Sequence, residues 1–129
     1  MLDPTLRTLA THRNFAAFTT LMPDGQPQTQ VMWVDADDDH VLINTELGRQ
    51  KQLNVQRDPR VTVTVIDAEN PYRYVEVRGR VVEQVGGDEA RAHIDACSQR
   101  YNGQPYPPEA IGTERVILRI EPDRTLVRA

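Results

Sequence analysis

The alternation of apolar and polar residues predicts that this chain folds mainly into β-strands. In Arg60–Asp67, Val61, Val63 and Val65 alternate with threonines, which is the period of two expected of a half-buried strand. Similar runs predict further strands at 15–22, 28–36, 41–45, 72–85 and 113–120, with a short edge strand at 125–128. The strands outnumber the helices and follow one another closely, so the pattern does not favour a parallel α/β sheet.

Turn signals indicate how these strands connect. Pro23-Asp24-Gly25 is a turn sequence, so the first two strands should form an antiparallel hairpin, extended by the third strand into a meander. Gly79, in the middle of the strand at 72–85, indicates a β-bulge or a sharp bend. The sequence therefore predicts a small antiparallel barrel of about six strands, which forms a single domain over residues 1–129.

Three segments are expected to be helical. Residues 3–13 place apolar side chains on one face, and residues 47–57 have a helical pattern that must end before Pro59. A third helix is predicted at about 89–101, with Asp88 as its N-cap and Asn102-Gly103 at its end. These helices would lie at the periphery of the barrel.

Composition narrows the class of protein. The formal net charge of −4 and the pI of 5.3 argue against nucleic acid as the main partner. The chain has no apolar run of about 18 residues, and its N-terminus lacks a signal-peptide pattern, so we expect no membrane partner. The single cysteine, Cys97, excludes an internal disulfide. We therefore expect a cytoplasmic protein.

The sequence contains no recognisable set of catalytic side chains. It lacks GxSxG, HExxH, CxxC and GxxxxGK[ST] motifs. Its three histidines lack metal-ligand spacing, so we expect no metal site. Cys97 is interpreted as a small buried apolar residue. No catalytic residue is therefore assigned from sequence.

The segment from Thr45 to Arg57 is the strongest candidate for binding. It runs from the end of a strand through Gly48 into a helix, and it contains Arg49 and the only lysine, Lys51. The start of a helix attracts anions, and these two cations suit a phosphate group. Residues two apart on a helix point in different directions. We therefore predict that Arg49 lies in the turn and Lys51 in the first helical turn; the alternative is two solvated cations.

A second candidate is the strand that contains Trp33, the only tryptophan. Trp33 could form an aromatic wall beside a planar ring, with backbone groups of residues 30–33 facing the polar edge of that ring. Packing of Trp33 in the core is an equal alternative. Arg73, Arg78 and Arg80 could attract an anionic ligand tail or form a solvated strand face.

Two sequence blocks carry a family resemblance. NTELGRQKQLN followed by DPRV, together with NPYRYVEVRG, resembles the pyridoxamine 5′-phosphate oxidase-like superfamily, over about residues 6–128. The likeness is to its small members that bind the deazaflavin F420. The resemblance implies a six-stranded antiparallel split β-barrel with peripheral helices. It also implies a homodimer with the cofactor at the subunit interface.

The resemblance also assigns site residues. The resemblance and the two candidate segments described above together predict the cofactor-binding residues. They are Gln30, Val31, Met32, Trp33, Asn44, Thr45, Gly48, Arg49, Lys51, Arg73 and Tyr74. Arg73 and Tyr74 lie in a segment that resembles one reaching the cofactor of the other subunit. The chain departs from true pyridoxamine phosphate oxidases, because QTQVMWV replaces an Arg-rich strand and Arg-x-Lys replaces an adjacent pair. Pyridoxamine phosphate oxidation is therefore not expected.

What the resemblance implies is an F420-dependent oxidoreductase that transfers a hydride to a small conjugated or planar substrate. This fits the lack of a catalytic motif, since the cofactor would carry the chemistry. An FMN-dependent enzyme of the same fold and a non-catalytic F420 carrier remain alternatives, with binding of a small ligand without any flavin as a further one.

Overall fold

The structure, a computed structural model, describes all of residues 1–129 and contains seven strands and three α-helices. In chain order the elements are α1 (Pro4–Ala10), β1 (Phe15–Leu21), β2 (Pro27–Trp33), β3 (Asp35–Ala36), β4 (Val41–Glu46), α2 (Gln50–Arg57), β5 (Arg60–Ile66), β6 (Tyr74–Val85), α3 (Gly87–Asn102), a 3₁₀ turn (Pro108–Ala110) and β7 (Arg115–Arg128). The predicted fold class is confirmed, but the strand count is seven rather than six.

All seven strands form one antiparallel sheet in the order β2-β1-β5-β6-β7-β4-β3. Only Val34 separates β2 from β3, although these strands lie at opposite ends of that order. The sheet must therefore curl until its two ends meet, which produces the barrel. The predicted continuous strand at 28–36 is wrong at this point, because Val34 breaks it and donates its N–H to Tyr101 Oη instead.

The long strands β6 and β7 pair around an irregularity at Gly79. The register shifts between Arg78 and Gly79, and a Cβ on Gly79 would lie 2.3 Å from the Glu121 backbone oxygen. The ladder is therefore irregular at Gly79, as predicted, but the extra residue is Asp123 of β7. The close approach explains why glycine is needed. The predicted separation into strands at 113–120 and 125–128 is wrong, because β7 continues through Pro122. This residue pairs with Gly79, where the irregular ladder tolerates a missing N–H.

The core lies inside the curled sheet. It is an apolar cluster of 18 buried residues, to which β5 contributes its alternating valines, as predicted. α1 covers one end through Leu6, Leu9 and Ala10. None of the helices is long and apolar enough to span a membrane.

The start of α3 differs from the prediction. The helix begins at Gly87, and Asp88 does not cap it. Instead, the Glu114 side chain accepts a hydrogen bond from the Gly87 N–H at 3.0 Å. A carboxylate that is distant in sequence therefore takes over the role expected of a local N-cap. At the other end Gly103 adopts a left-handed conformation, as predicted.

Candidate functional site

A cavity of about 430 Å³, here called the main cavity, lies between β2, β4, the start of α2, α3 and β7. It gathers eight of the residues predicted from sequence: Gln30, Val31, Met32, Trp33, Asn44, Thr45, Arg49 and Lys51. The strand predicted to lie beside a planar ring and the turn predicted to bind a phosphate therefore line the same cavity. Gly48, Arg73 and Tyr74 are not among its lining residues.

The turn before α2 has the geometry that the sequence predicted. Gly48 has a φ of +89°, which favours glycine, and Arg49 follows in an extended conformation as the N-cap. Lys51 lies in the first turn of α2. No side chain caps this helix, and its first internal bond runs from Leu53 N–H to Arg49 O at 3.0 Å. The preceding backbone N–H groups and the helix dipole add to the positive character of the site.

Lys51 is a buried cation without a partner. Its side chain makes no ion pair or hydrogen bond, although the residue is only 8% exposed. Burial lowers the pKa of Lys51, and the positive charges of Arg49 and Arg115 lower it further. The Thr45 hydroxyl is also buried without a hydrogen-bond partner. Since an unpaired buried charge is costly, this end of the cavity is suited to an anionic ligand.

Glu46 is the one carboxylate among these cations. Its Oε1 accepts hydrogen bonds from the N–H groups of Gly112 and Thr113, at 2.9 and 2.8 Å. Its Oε2 accepts from Arg49 at 2.9 Å and lies 3.4 Å from Arg115 Nη1. Burial raises the pKa of Glu46, but these N–H donors and Arg49 outweigh burial and hold it below its ordinary value. Glu46 therefore stays ionised and orients both arginines.

Glu46 should contribute to stability in a pH-dependent manner. Because its pKa is lower in the folded protein than in the unfolded chain, its contribution is present above about pH 4.5 and is lost as the pH falls through the folded value. Urea denaturation of the wild type and Glu46→Gln should show a stability difference that shrinks below pH 4.5. Exposed Glu109, changed to Gln, is the control. A difference that stays constant down to pH 3 would contradict this role.

Arg115 and Tyr106 also line the main cavity, and both were missed from sequence. Arg115 starts β7 and is paired in register with Glu46 of β4. Tyr106 comes from the proline-rich loop, and its ring lies 5.1 Å from the Arg115 guanidinium carbon. No local pattern could have found Arg115, because its place in the cavity depends on the pairing of β4 with β7.

His93 and Cys97 lie one helical turn apart on α3 and also line the cavity. His93 Nε2 is 2.9 Å from Asp35 Oδ2 and 3.6 Å from Cys97 Sγ. Burial lowers the pKa of His93, but hydrogen bonds to Asp35 and Cys97 outweigh burial and raise it to about 9. The Asn44 amide nitrogen lies 3.0 Å from Nδ1 of the same ring. His93 therefore links Asp35 to Asn44.

Trp33 both packs and lines the cavity. Its ring stacks on Tyr101 at 5.0 Å with an interplanar angle of 5°, and Tyr106 meets it edge-on at 6.3 Å. β2 is an edge strand paired only with β1, so alternate backbone groups of residues 30–33 have no strand partner. Trp33 is half-buried and lies outside the apolar core, so the alternative of core packing is wrong, and its role beside a planar ring stays a prediction.

The remaining predicted residues lie outside the main cavity. Arg73 pairs with Asp67 at 3.3 Å and lines a second cavity of about 660 Å³, which shares Trp33 and Phe15 with the first. Tyr74 starts β6, and Gly48 shapes the turn without lining the cavity. The prediction that the segment of Arg73 and Tyr74 reaches another subunit's cofactor stays a prediction.

Comparison with known proteins agrees with this architecture. The family model described as Pyridoxamine 5′-phosphate oxidase matches residues 2–128. A solved F420 reductase is 33% identical, with 97% of this chain and 98% of that chain covered and a TM-score of 0.83. Protein Rv2991 of Mycobacterium tuberculosis, described as a conserved hypothetical protein, is 28% identical, with 99% and 84% covered and a TM-score of 0.78.

A more distant likeness concerns the fold alone. General Stress Protein 26 of Bacillus anthracis is 18% identical, with 96% of this chain and 91% of that chain covered and a TM-score of 0.71. No curated protein matches the chain. The family match spans nearly the whole sequence, and the curled antiparallel sheet is that of a split barrel. The chain therefore belongs to the pyridoxamine 5′-phosphate oxidase family of split β-barrels.

Proposed function

We propose that this protein is an oxidoreductase that binds a flavin or deazaflavin cofactor, with F420 as the preferred one. The observation that carries the proposal is Lys51, a buried cation without a partner in the wall of the main cavity. The family supports a cofactor of this type, and the structural likeness to an F420 reductase supports the choice of F420.

The residues of the main cavity suit the phosphate of such a cofactor. Lys51 and Arg49 would hold the phosphate, and the Thr45 hydroxyl and the N–H groups at the start of α2 can donate further hydrogen bonds. The ring would lie along β2, where the unpaired edge offers backbone donors and acceptors to its polar rim. Met32 and Trp33 supply apolar surface for it.

When bound and reduced, such a cofactor would supply a hydride to a small conjugated or planar substrate. The protein's own residues would bind and orient the cofactor and exclude water from one of its faces, so that positioning provides most of the rate. We assign no catalytic side chain. We also propose a homodimer with the cofactor at the subunit interface, which equilibrium sedimentation of the purified protein would test.

Titrating the protein with F420, FMN and riboflavin, followed by fluorescence, tests the proposal. Phosphate recognition predicts that FMN binds more tightly than riboflavin, which lacks the phosphate, and preference for F420 predicts that F420 binds more tightly than FMN. Tight binding of FMN alone would favour an FMN-dependent enzyme of the same fold. Binding of none of the three would contradict the proposal.

A second assay separates an enzyme from a carrier. The protein loaded with reduced F420 is mixed with enones, quinones and tetrapyrroles, and oxidation of the cofactor is followed. Turnover of at least one class is the expected result. Tight F420 binding without turnover of any of them would favour a carrier.

A further inference from the structure

Arg115 is the third cation of the main cavity, and its guanidinium is held on several sides. Its Nε donates to Asn44 Oδ1 at 2.9 Å, and its Nη2 donates to the Asn44 carbonyl at 3.3 Å. Nη1 lies 3.4 Å from Glu46 Oε2, and the Tyr106 ring covers one face. The residue is 6% exposed and lines the cavity. Its position is therefore set by the fold before any ligand arrives.

The Asn44 amide that holds Arg115 is itself fixed by α3. Its Nδ2 donates to the Ala90 carbonyl at 3.1 Å and lies 3.0 Å from His93 Nδ1. His93 is in turn bound to Asp35, which accepts a hydrogen bond from Arg100 at 2.6 Å. The amide cannot turn over without placing its NH₂ against the Arg115 Nε–H. A continuous network thus fixes the direction of the guanidinium.

The charges around this part of the cavity do not balance. Arg49, Lys51 and Arg115 are positive, and Glu46, shared between the two arginines, is the one carboxylate that pairs with any of them. Two formal positive charges therefore remain. Exposed arginines elsewhere can be fully compensated, as at Arg80, which pairs with the two carboxylates of Glu121 and Asp123. A pre-arranged excess of two positive charges suits a ligand that carries two negative charges.

We propose that Arg115 binds the ligand directly and that this site recognises two negative charges together. A phosphate monoester dianion meets this requirement, and so does a phosphodiester followed by an anionic tail. The inference rests on the proposed function, because it takes the phosphate to bind beside Lys51. It adds a binding residue from β7 and assigns the charge state of the ligand. Asn44 and His93 act as positioning residues for Arg115.

The test compares Arg115→Met and Arg115→Lys with the wild type, using FMN and riboflavin as probes. Arg124→Met is the control, since Arg124 lies on the same strand but is exposed and makes no ion pair. The second pKa of a phosphate monoester is about 6. Affinity is therefore measured by calorimetry between about pH 5 and pH 7.5, where the FMN phosphate changes from one charge to two.

Several charged or titratable groups of the protein face Arg115. They are Glu46 of β4, Arg49 and Lys51 of α2, His93 and Cys97 of α3, and Tyr106 of the loop. All of them are present in every variant. The difference between the profiles of the wild type and the Arg115 variants therefore isolates the contribution of Arg115.

The wild type should bind FMN about tenfold more weakly at pH 5 than at pH 7.5. Arg115→Met should bind FMN at least about tenfold more weakly at pH 7.5 and lose most of the pH dependence, because only one excess charge remains. Arg115→Lys should keep the pH profile with reduced affinity. Riboflavin binding should be unchanged in both variants.

The outcomes separate this inference from the proposed function. Failure of the wild type to bind either F420 or FMN contradicts both. If Arg115→Met binds FMN as tightly as the wild type does, the inference is contradicted but the proposed function is not. The same holds if this variant loses as much affinity for riboflavin as for FMN. If the wild type binds F420 but not FMN, the variants are tested with F420. The same tenfold loss in Arg115→Met is then expected, without a step near pH 6, and unchanged F420 affinity would overturn the inference.

Discussion

Replacing Lys51 with methionine should weaken cofactor binding and stabilise the ligand-free protein at the same time. The loss of a charge-assisted hydrogen bond predicts about 2 kcal/mol of lost binding energy, or about 30-fold in affinity. The ligand-free protein should gain about 1 kcal/mol, because an apolar side chain of similar length replaces a largely buried lysine whose ammonium has no partner. Titration with F420 or FMN and urea denaturation of the ligand-free protein measure the two effects.

The opposite signs of these effects make this prediction specific. A residue that only supports the fold would lose stability and affinity together when changed. Arg124→Met, which removes an exposed positive charge that makes no ion pair, should leave both quantities nearly unchanged. Unchanged affinity in Lys51→Met would refute the phosphate role of Lys51. A loss of stability in the ligand-free variant would instead mean that the ammonium is already compensated.

The largest effect on stability is expected from Gly79→Ala. The added Cβ would lie 2.3 Å from the Glu121 backbone oxygen, so β6 and β7 must separate locally. Backbone oxygen cannot move aside as a flexible side chain can, and we expect a loss of about 3 kcal/mol in the free energy of unfolding, measured by urea denaturation. Gly112→Ala is the control, because its Cβ would meet only the Glu46 side chain, at an ordinary 3.5 Å.

A small effect of Gly79→Ala would contradict the role given to the bulge. The strand β7 runs without interruption past this point, and Pro122 pairs with Gly79. If the ladder could open at little cost, the close approach of the two strands would not be needed for the curvature of the sheet.

The periodicity of the sequence was sufficient to predict most strands, because the alternation of apolar and polar residues shows which side chains face the core. It identified β5, the hairpin of β1 and β2, and the irregularity at Gly79. It failed where distant parts of the chain decide the local structure. Val34 interrupts a strand because Tyr101 of α3 accepts its N–H, and Glu114 caps α3 from the far side of a long loop.

The same distinction applies to the site. The positions of Arg49 and Lys51 follow from local helix geometry, so the sequence was enough to predict them. Arg115 reaches the cavity because β7 pairs with β4, and His93 reaches it because α3 packs against that pair. Neither depends on residues nearby in the chain. A prediction of the complete cation set therefore required the sheet register.

A crystal structure of the protein with F420 or FMN bound tests the central claim most directly. We predict that phosphate oxygens lie within about 3 Å of Lys51 Nζ, the distance of a charge-assisted hydrogen bond. Arg49 should contact the same phosphate, and the ring should lie along β2. A phosphate bound elsewhere, with the Lys51 ammonium still unpaired, would contradict the account.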